Sequence, residues 1–197
     1  MNQEIGAIKN ENHLILGEVK DKKIMPLAWN GDLMDLIRSD EALAVAGQDR
    51  LNPDEVRWAP VVSNPGKIIA IGLNYQDHAE ESKGKTPEFP LVFAKFPSSL
   101  LGHREVITWD RRVTRKVDFE AELAVVLGRE IRNCAEPDAL DAVFGYTCAN
   151  DVRARDLQFG DGQWVRGKSL DTFCPLGPWI VTRDEISDPQ DLAFDAW

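Results

Sequence analysis

The sequence predicts a β-rich α+β protein. Three features carry that expectation. Short apolar runs recur along the chain, few stretches are long enough for a helix, and glycine or proline separates the runs. The 197 residues are 43% apolar and 28% charged, enough for one large domain or a small module attached to a larger one.

The elements follow in order. Residues 1–62 read as a small leading α/β unit. "HLILGEV" (13–19) and "KKIMPLA" (22–28) are strand candidates, and "GDLMDLIRS" (31–39) is a helix opened by Asp32 or a neighbour. "LNPDEVRWAPVVSNPGK" (51–67) holds three prolines and a glycine and reads as the connection, so the main unit is placed at 63–197. There "KIIAIGLNY" (67–75) is a buried strand running into a glycine turn, "YQDHAEES" (75–82) opens a short helix, and "KGKTPEFP" (83–90) is a mobile loop. "LVFAKF" (91–96), "EVITW" (105–109) and the segment 116–128 are strands. "PDALDAVFGYT" begins as a helix and passes into a strand ending at "CANDV". "RARDLQFGDGQW" is polar and irregular, and "PLGPWIVTRDEI" contains a last strand.

Charge excludes some functions. Acids exceed bases by 33 to 23 for a net charge of −10, and no Lys/Arg block offsets them, so a nucleic-acid partner is not expected. No apolar run approaches the roughly 18 residues of a membrane span. The N-terminus lacks a secretory pattern. Cys134, Cys148 and Cys174 lie far apart and fit neither a disulfide framework nor a CxxC metal site; Cys148 and Cys174 are expected as core thiols. The expectation is a soluble cytoplasmic protein.

The chemistry concentrates in "KVDFEAELAVVLG" (116–128). Strand side chains alternate, so Asp118, Glu120 and Glu122 share one face while Phe119, Ala121 and Leu123 take the other. A solvated strand face is the plain reading. Against it, like charges on one face repel. Asp151, in "ANDVRARD", ends another strand candidate. If it converges on Glu120 and Glu122, the cluster is stable only when protonated or holding a cation. Oxygen ligands without His or Cys select Mg²⁺, Mn²⁺ or Ca²⁺ over zinc.

"GLNYQDHAEES", "VDFEAELAVVLG", "GYTCANDVRARDLQ" and "RGKSLDTFCPLGPW", in this order and spacing, resemble the fumarylacetoacetate hydrolase family over residues 60–197. The resemblance implies a mixed β-roll, usually dimeric, with the metal held by Glu120, Glu122 and Asp151. It makes Asp118 an outer or merely structural carboxylate. Lys168, by default a surface lysine, becomes a substrate and metal-site residue that would hydrogen-bond an enolate oxygen. Arg155 and Gln158 fall where family members contact substrate carboxylate or carbonyl groups, although Arg155 could instead pair with Asp156 or Asp161. His78 and Glu81 fall on the pair that activates water in members that hydrolyse a carbon–carbon bond, and Tyr75 sits at the mouth of the site. His13 and His103 are read as structural. The family's unit runs on for further strands beyond "DLAFDAW", so the β-roll is expected to be incomplete at the C-terminus.

The implied function is a metal-dependent hydrolase of a small 2-oxo acid such as an acylpyruvate, acting through an enolate and working as a homodimer in aromatic catabolism. The alternatives are an isomerase or decarboxylase of 2-hydroxy-diene-dioates or oxaloacetate, and a catalytically silent metal-binding fragment.

Overall fold

A computed structural model describes residues 3–11, 13–39, 41, 43–75, 87–160 and 162–193. Among the described residues the chain forms twelve strands and three short α-helices. The strands are β1 (Glu4–Asn10), β2 (His13–Lys20), β3 (Lys23–Pro26), β4 (Ile68–Gly72), β5 (Leu91–Lys95) and β6 (Leu100–Leu101). They continue with β7 (Val117–Asp118), β8 (Ala121–Leu127), β9 (Val143–Asn150), β10 (Arg153–Ala154), β11 (Cys174–Pro175) and β12 (Trp179–Thr182). The helices are α1 (Leu33–Ser39), α2 (Arg155–Gly160) and α3 (Val165–Lys168). This is the sheet-rich architecture with few helices that the punctuation of the sequence predicts.

Six strands form the main sheet in the order β3-β2-β1-β12-β9-β8. The leading hairpin enters it through β1, whose Ile5 lies opposite Ile180 of β12. Residues from both sides of position 62 therefore share one sheet and one core. Ile5, Leu16, Leu33 and Leu36 pack with Val61, Val126 and Ile180 in a single buried cluster. Burying such side chains contributes about 1.5–3 kcal/mol each relative to exposure. Asp32 opens α1 by accepting the Asp35 N–H, while Asp35 accepts the Asp32 N–H in return. Trp58, inside the proline-rich connection, is 2% exposed and packs against Ile8, Val19 and Ile24.

Three expectations are corrected. Glu4–Asn10 is a strand that the sequence reading missed, because Glu4, Gly6 and Lys9 dilute its alternation while β2 and β12 pair with it from both sides. "EVITW" is not a strand: its backbone is held by reciprocal bonds between Thr108 and Thr172. "RARDLQFGDGQW" is not irregular throughout, since it carries β10 and α2. The expected helix after Tyr75 and half of the expected loop, residues 83–86, lie outside the described residues.

The 116–128 segment is two strands, not one. β7 ends at Asp118, β8 starts at Ala121, and Phe119 and Glu120 lie between them. The alternation nevertheless survives the break. Asp118, Glu120 and Glu122 are half-buried on one side, while Phe119, Val125 and Leu127 are exposed on the other. β7 pairs with β10 and β8 with β9, so the carboxylates face the end of β9 where Asp151 follows Asn150.

The β9–β12 contact couples the leading unit to the acidic strand, and Gly145 permits it. A Cβ there would lie 2.3 Å from the Val181 carbonyl oxygen across the pair. Gly145→Ala is expected to destabilise the fold by about 1–3 kcal/mol, the cost of forcing backbone apart. Urea unfolding measures it, and an unchanged midpoint would contradict the close approach.

Candidate metal centre and substrate pocket

A cavity of about 1570 Å³ opens between β4–β5 and β8. Glu120, Glu122, Asp151, Lys168, Arg155, Gln158 and Tyr75 all line it, so the structure brings seven of the nine site residues expected from the sequence to one place. His78 and Glu81 lie outside the described residues.

Lys168 is delivered by α3, a helix whose last residue turns its side chain inward until it is 2% exposed. Gly167 lets this happen, since α3 packs against the backbone of Gln158 in α2. The Lys168 ammonium bonds Glu120 Oε2 and lies 2.5 Å from Asp151 Oδ2. It also stands 5.1 Å over the centroid of Phe93, a favourable place for a cation. Lysine burial of this kind is tolerated only when the charge is paired.

A second buried lysine completes the arrangement. Lys95, the last residue of β5, donates to Asp151 Oδ1 at 2.6 Å, to the Val152 carbonyl at 3.3 Å, and to the Lys168 carbonyl. All three ammonium donors are used. Burial pulls its pKa down from the usual lysine value, and Asp151 offsets part of that. The sequence reading passed over Lys95. The available signal was a lone cation inside the apolar run "LVFAKF", in a position that must be either exposed or paired.

The arginines occupy the other flank. Arg153 of β10 bonds Glu120 Oε1 through Nη1 and reaches Asp118 Oδ2 through Nη2 at 3.0 Å. Arg155, first residue of α2, reaches the same oxygen through Nη2 at 2.6 Å and Nε at 2.8 Å. Arg155 thus pairs with Asp118, not with Asp156, which is occupied by Thr114 Oγ1 at 2.6 Å. Asp161 is outside the described residues. Burial, the largest single influence, pushes the Asp118 carboxyl up, but the two arginines together outweigh it and leave the carboxyl below its ordinary pKa.

Glu122 differs from the other carboxylates. Among the described residues no cation lies within ion-pair distance of it, and its pKa is pushed up to about 7. Burial is the main cause, followed by the charges of Glu120 and Asp151; Lys168 and the Tyr75 hydroxyl pull the other way. Tyr75 also accepts the Leu123 N–H at 3.2 Å, which ties the segment after β4 to β8. That segment turns at Leu73, with a φ of 55°, rather than at the glycine. Gly72 is needed for another reason, since a Cβ there would fall 2.8 Å from the Trp164 ring.

Gln158 is 2% exposed and its Oε1 is buried without a hydrogen-bond partner among the described residues. His103 packs edge-on to Trp58 and His13 lies at the exposed start of β2, so neither lines the cavity. Cys174 is buried, but Cys148 is exposed on the outer face of β9, which corrects its assignment to the core.

The chemistry of the donor set fits a hard divalent cation: Glu120, Glu122 and Asp151 offer only oxygen to one cavity. Their present spacing is that of an ion-paired cluster. Among the described residues no three His, Cys, Asp or Glu side chains are disposed to hold a metal, and the Lys168 ammonium stands between two of the three acids.

Lys95→Met tests the buried pairing. It removes one partner of Asp151 while Lys168 remains, so the expected loss is about 3 kcal/mol, at the lower end for breaking a buried pair. Chemical unfolding of the variant gives the value; equal or greater stability would show that Lys95 costs as much as it contributes.

Residues 67–197 match the family profile described as fumarylacetoacetate (FAA) hydrolase C-terminal. The chain is 46% identical over 151 residues to a mitochondrial oxaloacetate tautomerase of Xenopus laevis, covering 76% of this chain and 47% of that protein. It is 48% identical over 158 residues to a 2,4-didehydro-3-deoxy-L-rhamnonate hydrolase of Sphingomonas, covering 77% and 55%. The fumarylacetoacetate hydrolase of Exiguobacterium antarcticum superposes with a TM-score of 0.82 at 34% identity, over 95% of this chain and 69% of that one. The chain spans about half the length of the curated relatives it matches. Among the described residues no helix is long and apolar enough to cross a membrane. With the profile covering two thirds of its length and the fold in agreement, the chain belongs to the fumarylacetoacetate hydrolase family.

Proposed function

We propose that this chain carries the metal and substrate site of an enzyme acting on a small 2-oxo acid, with hydrolytic cleavage of an acylpyruvate-type C–C bond as the leading reaction. The observation that carries the reading is the meeting of Glu120, Glu122 and Asp151 with Lys168, Arg155 and Gln158 in one cavity. In this reading residues 63–197 supply the site as part of a β-roll, and residues 1–62 brace it through β1 and β12.

Glu120, Glu122 and Asp151 would hold Mg²⁺ or a similar cation, which supplies Lewis acidity toward a carboxylate and its neighbouring oxygen. Lys168, a buried ammonium brought beside Glu120 and Asp151, donates an N–H to an enolate oxygen. Arg155 binds substrate carboxylate and Gln158 Oε1 accepts from a substrate donor. For hydrolysis, water adds to the C4 carbonyl, the C3–C4 bond breaks, and its electron pair passes to the enolate, which is then protonated. His78, oriented by Glu81, is assigned the removal of the water proton. The exposed apolar row Phe119, Val125 and Leu127 supports a homodimer.

The likeness to an oxaloacetate tautomerase favours a second reading, in which a proton moves between C3 and the C2 oxygen without bond cleavage. That reaction, like decarboxylation, has no use for activated water.

EDTA is expected to lower the melting temperature and abolish turnover, with Mg²⁺ or Mn²⁺ restoring both. An indifferent melting curve with no metal by elemental analysis would remove the metal from the reading. His78→Ala is expected to slow acylpyruvate hydrolysis by about 10²–10⁴ while sparing oxaloacetate tautomerisation and decarboxylation. Equal losses in all of them would leave His78 a positioning residue, and tautomerisation without any hydrolysis would establish the second reading.

A further inference from the structure

We propose that Asp118 is a positioning residue that sorts the two arginines, committing Arg153 to Glu120 and turning Arg155 toward the distal carboxylate of a dicarboxylic 2-oxo acid. This rests on the 2-oxo acid reading and deepens it by naming the charge class of the substrate.

The β7–β10 pairing sets Asp118 directly opposite Arg153. One oxygen, Asp118 Oδ2, receives Arg153 Nε at 3.3 Å and Nη2 at 3.0 Å, and Arg155 Nε at 2.8 Å and Nη2 at 2.6 Å. The same carboxylate therefore holds two guanidinium groups that would otherwise repel. It holds them in different states. Arg153 has its remaining nitrogen on Glu120, and its side chain is only 9% exposed. Arg155 gives one edge of its fork to Asp118 and is 46% exposed, and among the described residues Nη1 pairs with no acid. The other edge, Nη1 with the second proton of Nη2, is thus available on a cavity-lining residue, in the planar form that binds a carboxylate through two parallel bonds.

Among the described residues no other acid competes for Arg155. The neighbouring Asp156 accepts from Thr114 Oγ1 and from the backbone N–H groups of Arg115 and Leu157. Remove the Asp118 charge, and Arg155 loses the one anchor it has among the described residues while Arg153 still has Glu120. The loss therefore falls on the substrate end that Arg155 serves, away from the Glu120, Glu122 and Asp151 end.

Malate and lactate separate the two ends without any reaction, because they share the carboxylate and 2-oxygen and differ by the distal carboxylate. In calorimetric titrations of the full chain with Mg²⁺, malate is expected to bind at least about tenfold more tightly than lactate. Asp118→Asn is expected to weaken malate about tenfold and leave lactate within about twofold, with Asp118→Glu recovering part of the loss. Arg155→Gln, which leaves Asp118 paired to Arg153, is expected to erase the same preference. The proposal is overturned if Asp118→Asn keeps the preference, if it weakens both ligands equally, or if the unaltered chain does not distinguish them. Failure of the underlying reading shows separately, as absence of metal-dependent turnover of any 2-oxo acid.

Discussion

The structure depends on one row of alternating charges. Lys95, Asp151, Lys168, Glu120, Arg153, Asp118 and Arg155 form it, each paired to the next. Its inner members are buried, where an unpaired charge costs several kcal/mol and a paired one is tolerated. That condition fixes where the elements must lie. β5 has to end at Lys95, β9 has to run out just before Asp151, and α3 has to turn Lys168 inward. The break between β7 and β8 serves the same end, since Glu120 lies between a strand paired to β10 and a strand paired to β9. Hydrophobic packing supplies the bulk of the stability through the cluster around Ile5, Leu33 and Ile180 and fixes which face of each strand is buried. The charges fix which side chains meet at the cavity.

Counting Glu122, four carboxylates face four cations, and only Glu122 stands outside the row. Its pKa is raised first by burial and then by the charges of Glu120 and Asp151. A divalent cation beside Glu122 would bring two positive charges into a balanced cluster, and a doubly charged acid would restore the balance. The cluster thus has room for a cation and a dianion together more readily than for either alone. The Lys168 ammonium, lodged between Glu120 and Asp151, provides the compensating charge in their absence.

The acidic face was legible in the sequence because period-two alternation is a local property. Asp118, Glu120 and Glu122 are separated by one residue each, and the strand break did not disturb their side. Asp151 and Lys168 were legible only through motifs held by distant parts of the chain. Lys95 and Arg153 were missed because each looks ordinary alone: a lysine near a strand end, and one arginine of two in "VRARD". Their roles come from pairing across 56 residues for Lys95 with Asp151 and 35 for Arg153 with Asp118, which no local pattern encodes. β1 was missed for a similar reason, its weak alternation being compensated by neighbours on both sides. "EVITW" erred in the opposite sense: its β-branched residues favour a strand, but Thr172 supplies the backbone partners that a neighbouring strand would have given.

Anomalous diffraction from crystals of the chain grown with Mn²⁺ tests the central claim most directly, since it locates the cation relative to the row. The account predicts one strong peak within coordination distance of the carboxylates of Glu120, Glu122 and Asp151, with the Lys168 ammonium displaced from between Glu120 and Asp151. A map with no peak there, and the ammonium still lodged between those two acids at saturating Mn²⁺, would contradict it.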